Sequence, residues 1–212
     1  VGLYIEVPYE ENDQAQEKGA IWDDREKMWF VQSRDEYSKF IKWINGNIIA
    51  LDEFFIIKGN QKCFRCGQVT PVIAFGFEKY YAIDTIEDTD KIIYSCENIL
   101  ISDAPDNIPP HFKNLLHDNF NFYWDLSKTI NKFYNSNHCQ YCSVIQGNYY
   151  LFNEDESPFF IDGIEQAEKL IVYRINIEND IPLIVNSETF NNFIDKTFKQ
   201  HLHYVNTNWN WE

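Results

Sequence analysis

Two C-x-x-C pairs constrain this chain more than any other feature. Cys63 and Cys66 form the first, in "KCFRCGQVTPVIAF", and Cys139 and Cys142 form the second, in "NHCQYCSVIQGNYYLF". Two-residue spacing lets both thiolates of a tight knuckle reach one metal ion at about 2.3 Å. Two knuckles together supply four soft ligands in a tetrahedron, the arrangement that suits structural Zn2+. The 72 residues between the pairs must then fold so that the knuckles meet, which couples metal binding to folding. Gly67 follows the first pair, where the backbone must turn, and Ser143 holds the equivalent place after the second. Four thiolates leave no open position for water or substrate, so the expected site is structural rather than catalytic. An iron–sulfur cluster satisfies the same ligand count. A thioredoxin-like redox pair needs a single C-x-x-C in a βαβ setting. A disulfide framework fits poorly with an odd fifth cysteine and no visible secretory signal. That fifth cysteine, Cys96, lies in the apolar stretch "KIIYSCENIL" and is expected to be a small buried hydrophobe.

The formal net charge of the 212 residues is −15, and no segment of the chain is basic. Backbone binding to nucleic acid depends on releasing counterions with Lys and Arg, so long-range repulsion disfavours autonomous binding to DNA or RNA. The nearest candidates for a local basic strip are Lys58, Lys62 and Arg65. The same field attracts and steers a basic protein partner. No run of about 18 apolar residues suggests a membrane helix, and a cytoplasmic protein is expected. Aromatic residues make up 17% of the chain, enough for an aromatic-rich core.

The pattern of elements predicts an α+β protein in two parts. Over residues 1–46, Leu3, Ile5 and Val7 alternate as in a half-buried strand. A helix is expected from Glu10 to Lys18, with Gly19 at its C-cap. Short strands follow at Ala20–Asp23 and Met28–Val31, around a turn on "DREK". Ser33 and Glu36 have the spacing of a capping box. They lead a helix through Tyr37, Phe40, Ile41 and Ile44 that ends at Gly46. Residues 47–60 read as a hinge of strand and loop character. Residues 47–212 are expected to form a β-rich, zinc-ribbon-like domain with a long insertion and a C-terminal helix. Its strands are "TPVIAFGF" and "KYYAID", placed to pair with each other, then "KIIYSCENIL", "QGNYYLF", "KLIVYRINI" and "IPLIV". Pro109 and Pro110 suit the first turn of a helix through Phe112, Leu115 and Leu116. A short helix is expected in "IDGIEQAEKL". The last helix is capped by Ser187 and carries Phe190, Phe193, Ile194, Thr197 and Phe198 on one face. The Asn- and Trp-rich tail is expected to be partly loose. The acidic turns "EDTD" (87–90) and "NEDES" (153–157) have too few spaced ligands for calcium.

Two resemblances add to this reading. Val7, Pro8, Tyr9, Asp13, Ala15, Gly19, Ala20, Trp22, Asp23, Lys27, Trp29, Phe30 and Val31 follow the pattern of a small module of unknown function. That module is found in plasmid-type primases and other bacterial proteins, and the first 35 or so residues resemble it. Trp22 and Trp29 are expected to form the core of so small a unit, the alternative being an exposed stacking platform for bases. Farther on, the matching residues are Cys63, Cys66, Gly67, Thr70, Pro71, Val72, Ser127, Lys128, Thr129, Asn137, His138, Cys139, Cys142, Gln146 and Gly147. Over roughly residues 60–175 these make the chain similar to an uncharacterised bacterial zinc-ribbon-like family. Ser143 and Asn148 depart from its pattern, and neither departure removes a ligand.

His138 abuts Cys139 but is expected to lie behind the ligands or at the surface, since four thiolates complete the site. His201 and His203 form H-x-H without an evident third ligand. The sequence contains no G-x-G-x-x-G and no G-x-x-x-x-G-K to cradle phosphate. The expectation is a non-enzymatic, acidic, zinc-binding protein that acts as a protein-interaction module. An immunity- or antitoxin-like inhibitor of a basic, nuclease-type partner is one instance. The alternative is a nucleic-acid-associated accessory protein of a plasmid- or phage-type replication or defence system.

Overall fold

The computed structural model describes residues 1–84, 91–186 and 192–211. Among these residues the chain is α+β and mostly β, with sixteen strands in four sheets. Among the described residues no helix is long and apolar enough to cross a membrane.

The first 46 residues build a three-stranded antiparallel sheet from β1 (Leu3–Ile5), β2 (Ile21–Asp23) and β3 (Met28–Val31), in the order β1-β3-β2. Helix α1 (Asn12–Glu17) follows one turn of 3-10 helix. It ends as the glycine predicts. The Ala20 N–H reaches back to the Ala15 carbonyl at 3.0 Å and the Gly19 N–H to Gln16 at 2.9 Å. Gly19 takes a φ of +101°, which only glycine adopts without strain. The capping box does not form. The Ser33 side chain makes no cap hydrogen bond, and residues Arg34–Trp43 wind as a 3-10 helix instead. The Ser33 carbonyl accepts from the Glu36 N–H at 3.1 Å, and the Glu36 carboxylate turns to Lys39. The tighter winding still buries Tyr37, Phe40 and Ile41.

The stretch expected to be a hinge is instead the centre of the molecule. It contains β4 (Ile48–Ala50) and most of β5 (Glu53–Lys62). Next come β6 (Val69–Phe77), β7 (Tyr80–Asp84), β8 (Lys91–Ser95) and β9 (Ile99–Ser102). Helix α2 (Pro110–Phe120) starts on the expected proline and stops at Asn121, whose φ is 51°. The hairpin of β10 (Phe122–Ser127) and β11 (Lys132–His138) follows, with β12 (Ile145–Gln146) at its edge. Helices α3 (Asn148–Phe152) and α4 (Ile164–Ala167) precede β13 (Ile171–Asn176), β14 (Ile181–Leu183), β15 (Phe193–Ile194) and β16 (His203–Asn206).

A six-stranded sheet runs β15-β9-β6-β5-β13-β16, parallel only between β13 and β16. A four-stranded sheet runs β14-β4-β7-β8. Alternation along β5 sends Phe54 and Ile56 into one core, with α2 and Trp211. It sends Phe55 and Ile57 into a second, with Leu151, Phe159 and Leu170. Strand β4 divides likewise. Ile48 and Ala50 join the first core, while Ile49 and Leu51 pack with Leu3, Trp29 and Phe40 of the first 46 residues. Strands β4 and β5 are therefore buried on both faces over residues 48–50 and 54–57, which explains why they read as continuous apolar runs rather than alternating ones.

Several expectations are corrected here. Strands β6 and β7 lie in different sheets and do not pair, because β6 is already flanked by β5 and β9. "KIIYSCENIL" breaks into β8 and β9, again in different sheets. "NYYLF" is helical rather than extended: Leu151 and Phe152 turn inward while Tyr149 and Tyr150 face solvent. Ser187 and Phe190 of the expected C-terminal helix lie outside the described residues. Farther along, Phe193 and Ile194 are a strand paired to β9, and residues 199–201 form one 3-10 turn. The tail is anchored rather than loose. Trp211 is buried and packs edge-on against Phe54 at 5.1 Å, and Trp209 packs on Phe120 and Tyr173.

Candidate metal centre

The first knuckle lies between β5 and β6 and the second between β11 and β12. The two are built alike. In the first, the Cys63 N–H donates to the Gln68 carbonyl at 2.8 Å and the Gly67 N–H to the Cys63 carbonyl at 2.9 Å. In the second, the Cys139 N–H donates to Val144 at 3.0 Å and the Ser143 N–H to Cys139 at 2.9 Å. Gly67 and Ser143 both take a left-handed φ, +73° and +55°. The turn is thus the same, although only one of the two positions carries the residue that adopts it freely.

Folding brings together all four sequence-predicted ligands. The sulfurs of Cys63, Cys66, Cys139 and Cys142 lie within 4.8 Å of one another. Cys63 Sγ is 3.7 Å from Cys142 Sγ, and Cys66 Sγ is 3.7 Å from Cys139 Sγ. A regular tetrahedron with a metal–sulfur length of about 2.3 Å has sulfur–sulfur edges of about 3.8 Å, so the donor set fits one metal ion. Cys63 and Cys139 are buried, Cys142 is half-buried and Cys66 is exposed.

Electrostatics point the same way. Burial raises the Cys63 thiol, but the backbone N–H groups of Cys66 and Arg65 donate to its sulfur and bring it down to about 6. Cys66 receives the Gln68 N–H, yet burial and the neighbouring sulfurs push it up to about 12. Cys142 receives the Val144 N–H, and burial together with Cys139 and Cys63 moves it upward. Four thiolates this close repel one another, and a divalent cation among them removes that conflict.

Buried polar side chains hold the two knuckles in register. The Asn137 amide donates to the Ile73 carbonyl at 2.9 Å, and its oxygen accepts the Ile73 N–H at 2.7 Å, tying β11 to β6. Thr70 Oγ1 accepts the Gln140 N–H at 3.0 Å. Gln146 Nε2 lies 3.6 Å from Cys63 Sγ and donates to the Val144 carbonyl at 3.0 Å. The sequence signal was their closeness to the cysteines, since all three lie within four residues of one. Their pairing across 64 to 83 residues was not visible.

His138 is buried behind the ligands, as expected. Its Nδ1 lies 2.9 Å from the Ser136 carbonyl and its Nε2 3.2 Å from Asp125, while its ring stacks on Tyr123 at 3.7 Å. Neither nitrogen is turned to the sulfurs. His201 pairs with Glu168, and His203 is exposed on β16. The expectation for Cys96 is corrected: it is exposed, because it lies in the turn between β8 and β9 rather than inside a strand. Trp29 is core, whereas Trp22, edge-on to it at 5.7 Å, keeps 44% of its surface exposed.

Comparison with known proteins concerns the first part of the chain. Residues 3–45 match the model of a domain of unknown function, DUF5710. Over 50 residues the chain is 40% identical to the DNA primase TraC of Escherichia coli, a match covering 24% of this chain and 4% of the primase. The chain therefore spans a very small part of that relative's length. No solved structure matches the chain significantly.

Proposed function

We propose that this chain is a non-enzymatic, cytoplasmic binding protein whose acidic surface captures a basic protein partner. The observation that carries this reading is the net charge of −15 on a scaffold whose clustered chemistry is a closed set of four cysteines. Zn2+ is the metal proposed for that set, since all-thiolate donors in a tetrahedron suit it best. When bound, it supplies cross-linking of two distant knuckles. Cys63, Cys66, Cys139 and Cys142 hold it, and Asn137, Thr70 and Gln146 position the turns that carry them. With four protein ligands the ion has no position for a substrate. The similarity of residues 60–175 to a zinc-ribbon-like family supports the same assignment.

A nuclease-type partner fits the charge, because a cleft that binds nucleic acid is basic and an acidic surface can fill it. Immunity- or antitoxin-like inhibition is the form this takes in our reading.

A second reading is favoured by one specific observation, the 40% identity of 50 residues to a plasmid primase. On that reading the protein is an accessory of a plasmid- or phage-type replication or defence system, held near nucleic acid by its partners. Capture of partners by the tagged, zinc-loaded protein from its host, with and without nuclease, separates the two. A stoichiometric basic protein that survives nuclease supports the first reading. Partners that vanish with nuclease overturn it in favour of the second.

A further inference from the structure

We propose that an aromatic groove in the first 46 residues is the docking site for an arginine-bearing segment of a protein partner. This rests on the acidic-surface reading above and gives it a location. The groove has a volume of about 580 Å³ and lies between α1 and β2. Tyr9, Asn12, Gln16, Trp22 and Trp29 are among its lining residues. Tyr9 is 89% exposed and Trp22 44%, a large aromatic surface left in water by so small a unit.

The indole N–H groups are already used. Trp29 Nε1 donates to Asn12 Oδ1 at 2.8 Å, and Trp22 Nε1 donates to Asp24 Oδ1 at 3.1 Å. What the rings still offer a ligand is their faces, which carry negative quadrupole charge and attract cations. Elsewhere the molecule meets this attraction from its own residues. Lys42 sits 4.3 Å from the Trp43 ring, Lys113 sits 5.8 Å from Trp124, and the Arg174 guanidinium sits 4.5 Å from Tyr204. Among the described residues no cation sits over Tyr9 or Trp22. No charged side chain lines the groove, but the chain that builds it, residues 9–29, is net acidic, with seven Asp and Glu against Lys18, Arg25 and Lys27. Glu10, Asp13 and Glu17 are exposed on the α1 side, and Asp24 is exposed beyond β2.

Aromatic faces in a net-acidic neighbourhood select the chemistry of the occupant. Stacking of nucleic-acid bases needs an excess of Lys and Arg nearby for the phosphates, and here acidic residues outnumber them. A guanidinium is planar, stacks on aromatic faces and forms forked hydrogen bonds with carboxylates. It matches both features with a planar stack and a forked hydrogen bond, where a lysine ammonium meets ring and carboxylate only as a point charge. The Asn12 and Gln16 amides can pair with the backbone of the segment that carries it.

The test titrates the full zinc-loaded chain with a short arginine–glycine repeat peptide, following the tryptophan indole resonances by NMR. Lysine–glycine and glutamate–glycine peptides and a single-stranded dT oligonucleotide serve as comparisons. The arginine peptide is expected to move the Trp22 signal and to bind more tightly than the lysine peptide. Tyr9→Ala, Trp22→Ala and the double charge reversal Asp13→Lys/Glu17→Lys should each weaken it about three- to tenfold, with unchanged circular dichroism and metal content. Binding unaffected by all three variants, no binding of the arginine peptide, or preferential movement of Trp22 by the oligonucleotide overturns the groove. Partner capture tells the two proposals apart. A basic partner retained by Tyr9→Ala/Trp22→Ala overturns the groove and leaves the acidic-surface reading intact. Failure of the unmodified protein to capture a basic partner overturns that reading, and the peptide titration still decides the groove.

Discussion

Arg34 and Asp180, 146 residues apart in the chain, form a two-pronged ion pair. Arg34 Nε donates to Asp180 Oδ2 at 2.7 Å and Nη2 to Oδ1 at 2.6 Å. The Tyr37 hydroxyl donates to the same carboxylate at 2.7 Å, and Asp52 takes a further Arg34 bond at 2.7 Å. The Asp180 side chain is 1% exposed and that of Arg34 30%. This cluster joins the 3-10 helix of the first 46 residues to the loop before β14. Arg34→Ala is expected to destabilise by about 3 kcal/mol, the low end for a buried charge left without its partner, because Arg34 is partly exposed to solvent. Tyr37→Phe should cost about 1.5 kcal/mol, since a second donor remains. Urea unfolding of both variants checks the order.

Two carboxylates should respond to acid in opposite senses. Asp52 is held low by its hydrogen bond to Arg34, and then by Lys79, against some burial. Its contribution is present above the unfolded value of about 3.9 and is lost as pH falls through the depressed folded value. Asp103 is raised by burial, against hydrogen bonds from Asn186, Ser102 and Asn148. Its ionisation opposes folding, so the penalty grows as pH rises from about 3.9 through the raised folded value and is absent below. Melting temperatures should therefore show unmodified protein gaining on Asp103→Asn as pH drops from neutral toward 4, and losing its lead over Asp52→Asn only below that. A flat difference for Asp103→Asn would remove the burial argument.

The two knuckles offer a matched pair of substitutions. A Cβ on Gly67 meets no atom within 4 Å, so Gly67→Ala is a test of backbone alone and should cost about 1 kcal/mol at its positive φ. Ser143 already bears that strain at φ 55°, and Ser143→Gly should recover a similar amount. Thermal unfolding of the metal-loaded protein measures both, and equal signs for the two would sink the equivalence of the turns.

Loss of one ligand should be felt well beyond its knuckle. Cys66→Ser is expected to release the metal and lower the melting temperature, and a strong chelator should do the same to unmodified protein. Elemental analysis alongside calorimetry tests this. A variant that keeps both metal and stability would show that the four sulfurs do not act as one site.

Trp211 fills the first core against Phe54 and Phe112, both at 5.1 Å. Trp211→Ala should cost about 3–5 kcal/mol, as for other large aromatic side chains removed from a packed interior. Denaturant unfolding measures it, and a change under about 1 kcal/mol would mean that the tail is not part of the core.

Legibility in the sequence followed the range over which each feature is decided. Gly19 and Pro110 mark helix ends by their own backbone geometry, and both ends lie close to where the sequence places them. Strands β1, β2 and β3 are short and local, and they are found where the sequence places them, β3 with the expected bounds and β1 and β2 shorter. Ser33 and Glu36 have capping-box spacing, yet Glu36 pairs with Lys39 instead, and a spacing rule carries no knowledge of that competitor. Residues 53–57 gave no two-residue alternation because both faces of β5 are buried, so a central strand looked like a hinge. Phe193 and Ile194 have helical spacing with their neighbours but gain a strand partner in β9.

The amino-acid sequence by itself determined the four cysteines that form the candidate metal centre, the sign of the net charge and most local elements of the first 46 residues, because residue type and short spacing carry that information. Only the tertiary structure decided which strands became neighbours, which tryptophans were buried and which buried polar groups hold the knuckles together. Those outcomes depend on packing between segments separated by tens to more than a hundred residues, where the burial of apolar faces and the pairing of buried polar atoms are settled jointly rather than locally.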